Sequence, residues 1–130
     1  IQSIMELHGV LVLVLTLILV IQQLMDLMLA KVGGLELMMA HNAELGIKMA
    51  VEHRPDLILM DLNLPGADGF SAMKQLQEID LTKDIPIIAV TASAMKEDVE
   101  KGLAGGFRAY VTKPFDVPEL IKVIQTEINR

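Results

Sequence analysis

Asp61, Thr91 and Lys113 each stand at or just after the point where a short apolar run gives out: Leu57-Ile58-Leu59-Met60, Ile85-Pro86-Ile87-Ile88-Ala89-Val90 and Ala109-Tyr110-Val111. A carboxylate, a hydroxyl and an ammonium form a set with a definite use. The carboxylate can act as a nucleophile toward phosphorus. Negative charge developing on the phosphoryl oxygens then needs a fixed cation and hydrogen-bond donors, the roles open to Lys113 and Thr91. Singly, each has an ordinary reading: Asp61 begins a turn before Pro65-Gly66, Thr91 is a turn or cap residue, and Lys113 is a solvated lysine ahead of Pro114. The chemical reading requires the three runs to be parallel strands, because only then do their carboxyl ends share the edge where open α/β sheets place their sites.

The elements needed for that are legible. Residues 57–60 are too short for a helix and are bounded by Pro55 and a Pro-Gly turn, as for a strand buried on both faces. Residues 35–40 read as another strand, with Asn42 capping a helix over 43–52. A helix over 70–79 places Phe70, Met73 and Leu76 inward. Residues 85–90 form a strand whose Pro86 is tolerable near its start. Ser93 is placed to cap a helix reaching Ala104, with Glu97 and Asp98 near its positive end. Gly105-Gly106 breaks the chain before a strand over 109–111. Asp116-Val117-Pro118-Glu119 resembles a capping box opening the last helix, whose inner face is Leu120, Val123, Ile124 and Ile128.

The start of the chain admits two readings. Residues 1–8 form a short leader with no basic start or cleavage site. A hydropathy window over residues 10–29 would flag a membrane span. Gln22, Gln23 and Asp26 interrupt it, however, and an acid within a span is costly. The reading adopted is a strand over 10–14 followed by a helix over 17–32 that ends at Gly33-Gly34, with a core stripe of Leu17, Ile21, Leu24 and Met28. The other side of that helix carries Ile18, Met25 and Leu29 beside Gln22 and Asp26. Such a face is unusual on a monomer and points to a second copy or a partner domain. Strands and helices thus alternate five times, which predicts a parallel sheet with helices on both faces.

Composition excludes several function classes. The 130 residues suit one domain with a real core. The formal charge of -6 argues against nonspecific nucleic-acid binding, which needs clustered cations. Absence of Cys excludes thiolate metal sites, disulfides and Cys nucleophiles. His8, His41 and His53 fall in separate segments without metal-ligand spacing, and each reads as a solvated surface residue. An Asp nucleophile after a strand also suggests a haloacid-dehalogenase-type phosphatase, but those place a second Asp two residues on, where this chain has Asn63.

Three motifs, Asp-Leu-Ile-Leu-Met-Asp-Leu-Asn-Leu-Pro-Gly, Val-Thr-Ala-Ser-Ala and Val-Thr-Lys-Pro-Phe, stand in the order and spacing of a known family. Over residues 9–128, and closely from His41 onward, the chain resembles the receiver domain of two-component response regulators and hybrid histidine kinases. Residues 9–130 are then the receiver domain. The resemblance implies a flavodoxin-like, doubly wound sheet of five parallel strands in the order 2-1-3-4-5. It implies that Asp61 is the phosphoacceptor, taking its phosphoryl group from a phosphohistidine on a histidine kinase or histidine phosphotransfer domain. Thr91 and Lys113 would hold that group, and the Lys113-Pro114 bond would be cis. Tyr110 would be the aromatic whose rotation reports phosphorylation. Asp61 and the main-chain carbonyl of Asn63 would serve a magnesium ion. The expected class is a cytoplasmic signalling domain and not an enzyme.

One departure counts against full activity. The family places two adjacent acids at the end of the first strand as magnesium ligands. Gapless spacing back from Asp61 puts Thr16 and Leu17 there, and neither replaces a carboxylate for a hard cation. Asp56 is at the opposite end of its strand, about 16 Å from Asp61. Asp26 is more than two helical turns from the edge. Asp68 could approach, although the resemblance gives it no such role. Magnesium binding is therefore expected to be weak or absent and Tyr110 to point outward. Two explanations stay open: a degenerate or engineered receiver fold serving as an interaction module, or a misassigned stretch over residues 10–30.

Overall fold

Short β-branched and Leu-rich runs separated by amphipathic segments give the alternation that a parallel sheet requires, since each crossover supplies a helix to cover a face. The computed structural model describes residues 6–15, 33–62, 69–91, 96–112 and 117–129. In chain order these form β1 (Glu6–Leu15), β2 (Gly33–Ala40), α1 (Ala43–His53), β3 (Leu57–Asp61), α2 (Gly69–Glu78), β4 (Ile87–Thr91), α3 (Lys96–Gly105), β5 (Ala109–Thr112) and α4 (Val117–Ile128). The five strands make one sheet in the order β2-β1-β3-β4-β5, and every neighbouring pair is parallel. This is the flavodoxin-like order expected from the sequence.

Period-two alternation sorts the strand side chains onto two faces. Val12, Val14, Leu57, Leu59, Ile88, Val90 and Val111 lie on one, packed against Leu120, Ile121 and Ile124 of α4. Leu13, Leu15, Ile58, Met60, Ile87 and Ala89 lie on the other, against Ala43 and Ala50 of α1 and Ala72, Met73 and Leu76 of α2. All five residues of β3 are buried, as are all five of β4. Burial on both faces explains why these strands read as unbroken apolar runs without alternation.

Several boundaries differ from the sequence reading. β1 starts at Glu6, so its first residues fall in the stretch read as a leader, with a register irregularity between Glu6 and Val10. Gly33 and Gly34, expected to stop a helix, begin β2 instead. The apolar run from Val10 is a strand as far as Leu15, hydrogen-bonded between β2 and β3, so this part cannot belong to a helical span. No described helix is long and apolar enough to cross a membrane. The expected helix over 17–32, with its outer apolar face, lies outside the described residues.

Further along, α1 starts as expected: the Asn42 side chain accepts from the Leu45 N–H at 2.8 Å. The helix stops at Arg54, whose left-handed backbone lets its N–H reach the Ala50 carbonyl. α2 runs from Gly69, so Ile79 falls outside it; Met73 and Leu76 are buried as expected, while Phe70 is half-buried. β4 starts at Ile87, two residues later than expected. Ile85 is drawn into the preceding turn by its N–H bond to Thr82, and Pro86 has no N–H to offer a ladder. Ser93 and Asp116, the expected caps of the last two helices, lie outside the described residues. α4 buries Ile121 together with Leu120 and Ile124, whereas Val123 and Ile128 are half-buried, because the inner stripe is centred one residue from where spacing alone placed it. His41 and His53 are exposed, as expected.

Candidate functional site at the carboxyl edge of the sheet

The register fixes how the expected site residues meet. Asp61 pairs with Val90, so Thr91 is one step beyond it on the neighbouring strand. Strand spacing of about 4.8 Å and a rise of about 3.3 Å then put their Cα atoms roughly 6 Å apart. The Leu62 N–H donates to the Val90 carbonyl at 3.1 Å, extending the β3–β4 pairing one residue past Asp61 and holding the two strand ends together. Both side chains are withdrawn from bulk solvent: Asp61 is 1% exposed and Thr91 5%. A carboxylate and a hydroxyl, far apart in sequence, thus occupy adjacent strand ends in a low-dielectric setting where a directed electrostatic contact counts for more than in water.

The loop carrying the edge is pinched at its base. The Gly69 N–H donates to the Leu62 carbonyl at 3.2 Å, so the chain leaves the sheet at Leu62 and returns beside it. A Cβ at Gly69 would lie 2.9 Å from the Leu62 Cα, closer than side chains tolerate. Glycine is therefore needed here for close backbone approach.

Tyr110 is paired with Ala89, two residues before Thr91 on β4. The alternation places it on the same face as Thr91, about 8 Å away between Cα atoms by the same spacings. Its ring is half-buried along the seam between β5 and α3, edge-on to Phe107 at 5.8 Å and 81°. Phe107 meets Phe70 in turn at 5.5 Å and 79°. The ring, expected to point outward, is half-buried in this position. Sequence reading missed Phe107, which is 2% exposed, because it follows the Gly105-Gly106 break and carries no period of its own.

The remaining expected residues adjoin this edge in sequence. β5 ends at Thr112, partner of Thr91, and Lys113 comes next. β1 ends at Leu15, partner of Met60, and Thr16 and Leu17 come next. Lys113, Pro114, Asn63, Thr16 and Leu17 lie outside the described residues. Asp56, rejected above as a metal ligand, is at the opposite edge and serves the fold: its Oδ2 accepts from the Leu11 N–H at 2.8 Å while its own N–H donates to the Leu11 carbonyl. Among the described residues no group of three or more His, Asp or Glu is placed to hold a metal ion. Among the described residues Asp61 is the one carboxylate placed at this edge, short of the oxygen-rich set that magnesium takes.

This fold and edge define a class, and similarity to known proteins identifies it. Residues 19–125 match the family of response regulator receiver domains, to which the chain belongs. It is 44% identical over 101 residues to the polar-differentiation response regulator DivK of Brucella anthropi, covering 78% of this chain and 82% of that protein. The receiver domain of a sensor histidine kinase from Pseudomonas aeruginosa, whose crystal structure has a magnesium ion coordinated in the active-site cleft, superimposes with a TM-score of 0.82. That pair is 32% identical, covering 94% of this chain and 99% of the other. A chemotaxis response regulator of Vibrio cholerae is 25% identical with a TM-score of 0.81, covering 93% and 99% of the two chains. The protein is therefore a two-component signalling domain, of a family that works with histidine kinases or phosphotransfer proteins.

Proposed function

We propose that Asp61 accepts a phosphoryl group from a phosphohistidine of a histidine kinase or histidine phosphotransfer domain in the cytoplasm. The observation that carries this reading is the placement of a 1%-exposed carboxylate at the end of the central strand, one register step from the Thr91 hydroxyl. A carboxylate oxygen of Asp61 forms the new P–O bond as the P–N bond to the imidazole breaks, and the departing nitrogen takes a proton from solvent. Thr91 donates a hydrogen bond to a phosphoryl oxygen and Lys113 supplies the fixed cation. Tyr110 reads the outcome from the same sheet face as Thr91.

In this reading Thr16 and Leu17 weaken the site, since a magnesium ion would find only Asp61 and the Asn63 carbonyl of the usual ligands. Acetyl phosphate is then expected to label Asp61 poorly, and Thr16→Glu with Leu17→Asp to restore labelling. Intact-protein mass spectrometry, with Asp61→Asn as the blank, checks both. Robust labelling of the chain as it stands would refute the impairment, and no labelling of the restored chain would refute the phosphoacceptor role.

The same two residues favour a second reading, a receiver fold that binds a partner without phosphoryl chemistry. The surface for it would be α3 and β5, or a homodimer or partner-domain contact through the apolar segment over residues 17–32 that the sequence reads as a helix. It predicts that partner affinity is unchanged by Asp61→Asn.

A further inference from the structure

α3 contains a glycine three residues before its end, where helix propensity alone favours almost any other residue. Gly102 is buried. The space a side chain would take there is filled: a Cβ on Gly102 would overlap the Tyr110 hydroxyl and clash with ring atoms Cε1 and Cζ. The glycine is also held in place from its carbonyl side. Its oxygen accepts from the N–H groups of both Gly106 and Phe107, each at 3.1 Å. Phe107 is the residue whose ring meets Tyr110 edge-on. Gly102, Phe107 and Tyr110 therefore form a closed unit, in which the backbone that carries the gap is hydrogen-bonded to the residue that walls the ring.

We infer that Gly102 is a positioning residue for Tyr110. Its missing side chain is the seat in which the ring and hydroxyl rest, and it sets the position from which Tyr110 responds to Asp61. The second half of this statement rests on the phosphoacceptor reading; the first does not. The Tyr110 backbone cannot absorb a methyl at 102, because β5 is in register with β4 on both sides of it. Nor can α3 slide away freely, because its Gly102 carbonyl is bonded to the N–H of Phe107, whose ring is 2% exposed and packed against Phe70 and Tyr110. The ring must leave its seat by rotating, and a two-state element biased in this way responds differently to the same local event.

Tyr110 is the single Tyr and the chain has no Trp, so ultraviolet-excited emission reports this ring alone. Gly102→Ala is expected to raise acrylamide quenching of that emission while far-UV circular dichroism stays native. A folded Gly102→Ala protein with unchanged quenching would overturn the seat. Thermal midpoints supply a second measurement. Gly102→Ala should lower the midpoint in the parent chain and raise it in a Tyr110→Ala background, where only the helix-propensity gain remains. The same sign in both backgrounds, or failure of the double variant to fold, would overturn it as well.

The switching half is tested in the chain carrying Thr16→Glu and Leu17→Asp, with magnesium and beryllofluoride. Quenching should change on addition, the change should vanish with Asp61→Asn, and Gly102→Ala should reduce it. If Asp61 is labelled in that chain but Tyr110 responds identically with Gly or Ala at 102, the positioning role in switching is refuted. If Asp61 is not labelled there, the phosphoacceptor reading fails, and the seat stands or falls on the quenching and midpoint measurements alone.

Discussion

Leu59 sits at the middle of the central strand, 1% exposed, between Val14 of β1 and Ile88 of β4 and on the face covered by α4. Leu59→Ala removes three carbons, which at about 0.8 kcal/mol each costs about 2.4 kcal/mol of transfer free energy. Strands on both sides limit collapse; if about 40 Å³ stays open, at about 24 cal/mol per Å³, the cavity adds about 1 kcal/mol. The expected loss is thus about 3.4 kcal/mol, out of the roughly 5–15 kcal/mol that holds an ordinary domain together. With a urea slope of about 1.5 kcal/mol per molar, the unfolding midpoint should fall by about 2 M at unchanged slope. Far-UV circular dichroism across a urea series measures it. Leu45→Ala, at a 40%-exposed position on α1, is the control and should shift stability by less than about 0.5 kcal/mol. Leu59→Asp should abolish cooperative unfolding, because an unpaired charge would replace an apolar contact surface. A loss under about 1 kcal/mol for Leu59→Ala, or a normal transition for Leu59→Asp, would refute the placement of β3 at the centre.

Three further outcomes follow from particular contacts. Asn42→Ala removes the acceptor for the Leu45 N–H and should cost about 1 kcal/mol, with Asn42→Ser recovering most of it in the same urea series. Gly69→Ala forces a Cβ to 2.9 Å from the Leu62 Cα and should destabilise by about 1–3 kcal/mol despite better helix propensity, by the overpacking cost of a backbone that cannot yield; a neutral result would mean that the loop base is looser than described. Arg108 Nη1 stands 3.7 Å from Oε1 of Glu127, whose side chain is 4% exposed, while the arginine is 42% exposed. Arg108→Met should therefore cost only about 1 kcal/mol after solvent screening, and Glu127→Gln should remove most of that cost when combined with it; a double-mutant cycle in thermal midpoint reads both.

The sequence by itself determined the five strands and the helices that follow β2, β3, β4 and β5, because runs such as Leu57-Ile58-Leu59-Met60 are too short and too apolar to be anything but buried strands once Pro55 and Pro65-Gly66 bound them. It also determined Asn42 as a cap, a local contact between residues three apart. Asp61 and Thr91 were legible as candidates because parallel strands end on one edge, a rule that needs chain order and nothing more. What lay beyond it was set by contacts distant in sequence. That Gly33-Gly34 joins a strand and does not stop a helix follows from pairing with β1, and Ile85 leaves β4 because Thr82 claims its N–H. Asp56, read only as a poor metal ligand, proved to be a clamp on Leu11 across 45 residues. Gly102 carries no signal of its own in a helix of mixed composition. Its role exists only because folding brings Tyr110 against it, and a residue defined by the space another side chain occupies can be recognised only once both have been placed in the tertiary structure.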